Sequence, residues 1–364
     1  MRVAVTVEQS WHVVPGGIAT STVAMLRALA RRGDLDLVGI SARHRAPPLP
    51  GFTPPVAVRR SRLPRRALYE SWQWFRRPLV ERVTGPVDVV HDAGYVVPPS
   101  KAPLVATIHD LLFLRFPDHY TWHSREVLRR GLELARRDAA LVICPSGATI
   151  AACEEAGIHA DRLRLVPWGV EVRTVNGSEA AAVRKRYGID RPYLLFCGTR
   201  EPRKNLPRLL EAVGRLDNRE VELVLAGPAG WKGDATDAGV GDRVRALGFV
   251  PPDELGALYE GAELVVYPSL AEGFGLPVLE AMAHGAPVVT SAGSATEEVA
   301  GAAALLVDPL DTDAIASAID RILDDGALAT SLREAARARA ASFTWDRTAD
   351  RVAAVYAEAT RSER

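Results

Sequence analysis

Short runs rich in Val, Ile and Leu recur along this 364-residue chain, and helix-length amphipathic patterns alternate with them. Strands that alternate with helices argue for parallel sheets, because a parallel pair needs a crossover of a dozen or more residues and a helix supplies it. The runs at 3–7, 88–91, 104–108 and 140–144 form one series, with helical patterns at 18–32 and 124–137. A second series begins near Tyr193, with strands at 193–197, 221–226, 263–267 and 287–290 and helices at 206–215, 253–260 and 278–284. The fold class is therefore α/β, with two Rossmann-like domains in tandem, since 364 residues is long for one hydrophobic core. An N-terminal domain is assigned to 1–170, a C-terminal domain to 171–343 and a final helix to 344–364. Open parallel sheets bind ligands beyond the carboxyl ends of their strands, so two such sheets facing each other would form a cleft.

The most informative string is Pro-Ser-Leu-Ala-Glu-Gly-Phe-Gly-Leu-Pro-Val-Leu-Glu-Ala-Met over 268–282. It follows a strand-like run and leads into a helix in whose first turn Pro277 loses nothing by lacking an N–H. Glu272 then lies on a loop at a strand's carboxyl end, and Glu280 in the first helical turn. Gly273 and Gly275 permit close approach of backbone to ligand or a positive φ. Amides of Gly273, Phe274, Gly275 and Leu276, near a helix start, suit an anion, while the carboxylates suit sugar hydroxyls. A capping role is the structural alternative for Glu280.

A second string, Gly-Thr-Arg-Glu-Pro-Arg-Lys-Asn-Leu over 198–206, follows the first strand of the second series. Arg200, Arg203 and Lys204 thus sit beside a helix start, where a guanidinium fork and an ammonium point charge suit a diphosphate. Taken singly, each reads as a solvated surface charge; their shared position at the strand end favours the site reading for the group. Gly16 and Gly17 lie between the first strand and the first helix, open to phosphate oxygens, although any tight turn uses such a pair. Thr20 either helps to bind an acceptor or caps the helix. His109 and Asp110 end another strand, His109 as a site residue or a turn-capping one.

Composition removes several classes. Formal net charge is zero, so no global field draws nucleic acid. No apolar stretch is long enough to span a bilayer and no leader pattern opens the chain, so a cytoplasmic protein is expected. Cys144, Cys153 and Cys197 have no metal-ligand spacing, and Cys144 and Cys197 read as core residues. Asp234 and Asp311 lie outside any metal-binding motif, so neither metal nor cofactor is expected. A nicotinamide dehydrogenase is disfavoured, because the three-glycine fingerprint and its ribose-binding acid are missing. Residues 59–82, from Arg59 to Arg82, hold eight arginines and two acids, interrupted by Trp72, Trp74 and Phe75. They read either as a peripheral membrane contact or as a loop and helix whose aromatics pack inward.

The 268–282 string resembles the E-x7-E signature of family-4 retaining glycosyltransferases, and 198–206 resembles that family's phosphate-binding motif. The resemblance implies the two-domain GT-B fold, with the last helix crossing back to the N-terminal domain, and a nucleotide-diphospho-sugar donor. It implies that Glu272 contacts donor sugar hydroxyls, Glu280 the ribose and Lys204 the phosphates. Many members carry Arg directly after the Gly, six residues before the Lys; Thr199 stands there with one residue fewer, which puts Arg203 ahead of Arg200 as second cation. Gly16 and Gly17 would cover the donor phosphates, His109 would touch the transferred sugar with Asp110 supporting it or facing the acceptor, and the loop around Val250 would pair with the base. Same-face, metal-independent transfer to an unidentified hydroxyl acceptor follows. The Glu-Pro-Arg-Lys-Asn-Leu variant resembles mannosyl- or rhamnosyltransferase branches, which makes GDP-mannose the expected donor; UDP- and dTDP-sugars stay open. A disaccharide synthase or phosphorylase on the same scaffold, or a silent sugar-nucleotide sensor, are the alternatives.

Overall fold

A computed structural model describes residues 1–12, 16–173, 175–228 and 241–361, in two compact units. One comprises Met1–Gly169 with Thr344–Arg364, the other Val170–Phe343. The first holds seven parallel strands: β1 (Arg2–Thr6), β2 (Asp36–Ser41), β3 (Ala57–Arg60), β4 (Val89–Asp92), β5 (Leu104–Thr107), β6 (Leu141–Cys144) and β7 (Leu163–Leu165). Their order is β3-β2-β1-β4-β5-β6-β7. The second holds six, β8 (Tyr193–Cys197), β9 (Glu222–Ala226), β10 (Val244–Gly248), β11 (Leu264–Tyr267), β12 (Val288–Ser291) and β13 (Leu305–Val307), in the order β10-β9-β8-β11-β12-β13. Every pairing is parallel.

Burial explains which strands are readable in the chain. β4, β5, β6, β8, β9 and β11 are buried throughout, as helices on both faces of a parallel sheet require, and so appear as continuous apolar runs apart from a few polar residues. β3, β7, β10 and β13 are the sheet edges: β3, β7 and β10 mix polar with apolar residues, and β13 is apolar but only three residues long. None of these four was expected, nor was β2. Both sheets are Rossmann-like: the order reverses between β1 and β4 in one and between β8 and β11 in the other. These are the switch points where such sheets take ligands.

Three local expectations need correction. Gly16 and Gly17 do not precede the first helix but open it, as Gly16–Arg32; Pro15 lies outside the described residues. The helix after Gly275 starts at Leu276, so Glu280 stands in its second turn rather than its first. Of Trp72, Trp74 and Phe75 in the arginine-rich stretch, only Trp72 packs inward. Trp74 and Phe75 are 54% and 76% exposed: Trp74, two residues on from Trp72, faces the other way on the segment Ser71–Phe75, and Phe75 ends it before left-handed Arg76. Arg76 is held by the Trp72 and Val97 carbonyls and, at 2.7 Å, by Asp138.

The last helix, Trp345–Ala359, belongs to the first unit and packs on Gly16–Arg32, with Arg31 to Asp346 at 2.6 Å. Its Tyr356 hydroxyl lies 2.7 Å from His91 Nδ1 on β4, and His91 Nε2 lies 2.7 Å from Thr107 Oγ1 on β5. All three side chains are buried, so removing one leaves a stranded polar atom. Tyr356→Phe should therefore cost about 1–3 kcal/mol of stability, read as a lower urea midpoint at unchanged slope. An unchanged midpoint would show that this contact carries no stability.

Candidate active site

In the second unit the loops after β8 and β11 meet at the switch point. Asn205 makes this possible. It occupies the left-handed region (φ 61°), which Asn tolerates better than most residues, and its amide nitrogen donates to the Pro268 and Pro309 carbonyls at 3.0 and 2.7 Å. The Leu270 amide donates to the Arg203 carbonyl at 2.9 Å, bracing the two loops. Gly275 closes the turn at φ 105°, where an added Cβ would stand 2.8 Å from Thr296 Cγ2. Gly273, by contrast, is not among the positive-φ glycines.

This bracing brings Arg203, Lys204 and Glu272 together. Glu272 Oε1 takes Lys204 Nζ at 2.7 Å and Oε2 takes Arg203 at 2.7 Å. Arg203 also donates to the Ala271 carbonyl at 3.0 Å and lies 3.3 Å from Glu201. Lys204 is bonded to the Tyr267 hydroxyl and stands 4.8 Å over that ring. Burial alone would push the Glu272 carboxyl up; the Arg203 and Lys204 charges outweigh it and hold the group down at about 2. Burial lowers Lys204 below its ordinary value, with Glu272 opposing. Arg200 sits in the same loop, outside the Glu272 ion pairs.

Glu280 has the opposite environment. It is half-buried, no cation pairs with it among the described residues, its Oε2 accepts from the Tyr259 hydroxyl at 2.9 Å, and loss of contact with water pushes it up to about 7. Two carboxylates eight residues apart in sequence are thus driven to opposite protonation behaviour, as in sites that divide labour between acids. Tyr259 and Tyr267 were not foreseen, since both read as core aromatics. The one available signal was Tyr267 as the last residue of a strand leading into the loop. Phe274 is buried against Phe343, at 6.2 Å between ring centroids. Val250 is buried in the loop after β10, while its neighbour Phe249 is 61% exposed.

In the first unit His109 follows β5, buried, with Nε2 3.0 Å from the Ala93 carbonyl. Burial lowers its pKa, so the imidazole is neutral, Nε2–H donates and Nδ1 is left as an acceptor. Asp110 Oδ1 accepts from the Leu112 amide at 3.0 Å, which gives it a turn-forming role. Thr20 is exposed on its helix and bonds the Gly16 carbonyl at 3.1 Å. Cys144 and Cys197 are buried core thiols. Asp234 lies outside the described residues. Among the described residues no three His, Cys, Asp or Glu side chains are grouped to hold a metal.

Comparison with known proteins gives a consistent assignment. Residues 180–339 match the family model for glycosyl transferases group 1, and residues 15–174 match that for glycosyltransferase family 4. The O-antigen chain mannosyltransferase B of Escherichia coli is 32% identical over 71% of this chain and 71% of its own length. A D-inositol 3-phosphate glycosyltransferase of Acidothermus cellulolyticus is 30% identical over 96% of this chain and 87% of its own. Among solved structures, sucrose-phosphate synthase from Thermosynechococcus elongatus superposes with a TM-score of 0.79 at 23% identity, covering both chains fully. Anabaena HepE in complex with UDP and glucose superposes with a TM-score of 0.78 at 22% identity, covering 98% and 100%.

The raised Glu280 carboxyl sets a pH test. Folded Glu280 holds its proton up to about 7 against 4.5 for the ordinary group, so the native state binds more protons between those values. Its contribution is complete below about 4.5 and is lost as pH rises through about 7, by roughly 3 kcal/mol in all. Between pH 5 and 8 the wild type should lose most of that amount relative to Glu280→Gln, by denaturant titration. Parallel pH profiles for the two proteins would contradict the proton-holding carboxyl.

Proposed function

From the premise that this chain belongs to the family-4 glycosyltransferases of GT-B fold, we propose that it moves a hexose, mannose or a close relative, from a nucleoside-diphosphate sugar to a hydroxyl acceptor with retention and without a metal. The observation that carries this reading is the convergence of Lys204 and Arg203 on Glu272 at the carboxyl ends of β8 and β11. Two cations held side by side at the strands' carboxyl ends stand where charge that develops on a leaving diphosphate can be met. The mannosyltransferase relative supports mannose, with GDP-mannose as donor.

In this mechanism Lys204 and Arg203, with Arg200 behind them, take the pyrophosphate oxygens and release Glu272 to the sugar hydroxyls. Glu280 binds the ribose, steadied by the Tyr259 hydroxyl, and the Val250 loop meets the base. Amides from Gly273 to Leu276, and those at Gly16 and Gly17 where the first helix opens, face phosphate. Neutral His109 offers Nδ1 to a sugar hydroxyl. As the bond from C1 to the diphosphate oxygen breaks, the acceptor oxygen bonds C1 from the same face. The acceptor's proton leaves on the diphosphate. Thr20 and Asp110 stand on the acceptor's side.

The exposed Trp74 and Phe75, set among the arginines of 59–82, support peripheral contact with an anionic membrane, on its cytoplasmic face. No helix among the described residues is long and apolar enough to cross a membrane. The wild type should cosediment with phosphatidylglycerol vesicles and the Trp74→Ser, Phe75→Ser double variant should not; equal sedimentation of both would remove that contact.

Lys204→Met and Glu272→Gln should each lower sugar transfer from GDP-mannose by about 10²–10³-fold with the near-ultraviolet circular dichroism retained. A chelating agent should leave the wild-type rate unchanged. Wild-type turnover by either variant would overturn the site assignment, and strong inhibition by chelator would overturn metal independence.

A further inference from the structure

The His109 side chain is hydrogen-bonded at one atom only: Nε2 reaches the Ala93 carbonyl, and among the described residues Nδ1 has no partner. Its backbone is fixed, since the Ile108 amide just before it donates to the Ile143 carbonyl at 2.9 Å. The freedom that remains is that of the ring, which can pivot about a single bond. Two aromatic rings restrain it. The Tyr95 centroid lies 5.9 Å away at an interplanar angle of 58°, and the Trp168 centroid 5.7 Å away at 41°. Both are tilted pairs within the range at which aromatic rings attract. Tyr95 is half-buried, whereas Trp168 is only 4% exposed and is the more firmly seated of the two.

Trp168 owes that seat to the far end of the chain. It follows β7 between Pro167 and Gly169, and the last helix backs all three residues. The Pro167 carbonyl accepts from Thr348 Oγ1 at 2.8 Å. The Trp168 indole stacks on that of Trp345, the first residue of the helix, with centroids 6.1 Å and planes 27° apart. Gly169 has no room for a side chain: an added Cβ would stand 2.2 Å from the Trp345 amide nitrogen. All of these residues belong to the first unit. The same helix reaches β5 by a second route, from Tyr356 through His91 to Thr107, two residues before His109.

We propose that Trp168, backed by the last helix, is a positioning residue for His109: its indole fixes the imidazole in the orientation that donates Nε2–H to Ala93 and keeps Nδ1 for the substrate. The proposal rests on the glycosyltransferase reading above, which gives His109 its contact with the sugar. A neutral imidazole can carry its proton on either nitrogen. The bond to Ala93 selects Nε2, and it lasts only while the ring holds its angle and water is kept from both partners. A small misplacement of a group that meets the reacting sugar costs rate, so a residue that never touches substrate can set it.

Nitrogen-15 NMR of the histidine-labelled full chain tests the orientation, with the His109 signals assigned from a His109→Gln variant. At neutral pH, where burial keeps the ring uncharged, the wild type should show the Nε2-protonated tautomer alone. Trp168→Leu should show a mixture of tautomers, and Trp168→Phe, which keeps an aromatic ring, should restore the single form. Thr348→Val, which removes the bond to Pro167 and leaves the indole in place, should give the same mixture to a smaller extent. GDP release from GDP-mannose supplies the second reading. Trp168→Leu should slow it by about 10-fold to 10²-fold, yet should slow a His109→Ala chain no further, because residues that act through one another do not add. An unchanged tautomer in both Trp168→Leu and Thr348→Val, or losses that add in the double variant, would overturn the positioning role. Wild-type GDP release by His109→Ala, or none by the wild type, defeats the underlying function instead, and the tautomer alone then decides the role of Trp168.

Discussion

The buried carboxylate of Glu272, shared by Arg203 and Lys204, is the interaction on which the second unit's site depends. Removing three charges from water is expensive, and mutual attraction seldom returns much more than that cost. Such a cluster is poor evidence of stability and better evidence of a task. The loops that hold it carry their own bracing through Asn205 and the Leu270–Arg203 backbone bond, so the geometry does not rest on the charges alone. Glu280, a short way along the same chain segment, has a tyrosine where Glu272 has cations, and that difference separates their ionisation.

Much of the fold was legible in the chain, and the reason is burial. β8 is identical in extent to the expected strand, and β4, β5, β6, β9, β11 and β12 differ only at their ends, because strands covered on both faces are mostly apolar, with polar residues confined to their ends. β3 and β10 carry arginines on half-exposed backbones and offered no such signal. At the site, the proximity of Lys204 to Glu272 was legible from the topology, since both follow adjacent strands of a parallel sheet. The partners of those residues were not. Tyr259 reaches Glu280 from a different helix, and nothing in its local pattern marks a hydroxyl that faces a carboxylate. Trp74 misled because a residue two positions from Trp72 faces the other way on a helical segment, and Phe75 because the segment ends there, before left-handed Arg76.

The two units share a strand order and differ in what their switch points carry. At β8 and β11 the loops bring an arginine and a lysine to a carboxylate. At β1 and β4 the strand ends and the segment after β1 bring Glu8 and Asp92, with no lysine or arginine among the residues around the small cavity there. One architecture thus offers two contrasting electrostatic environments, set by a handful of residues at and just beyond the carboxyl ends of the strands. The backbone supplies a place for a ligand, and the loops decide its charge.

The connectivity of the first unit has a consequence for synthesis. Its strands are all translated by Leu165, yet the helix that meets His91 through Tyr356 begins only at Trp345. The whole of Val170–Phe343 lies between. A chain emerging from the ribosome therefore completes its second unit first, while the earlier one waits with the groove for that helix uncovered. Chaperone dependence during expression is expected to track that interval, and neither unit corresponds to a simple N- or C-terminal fragment.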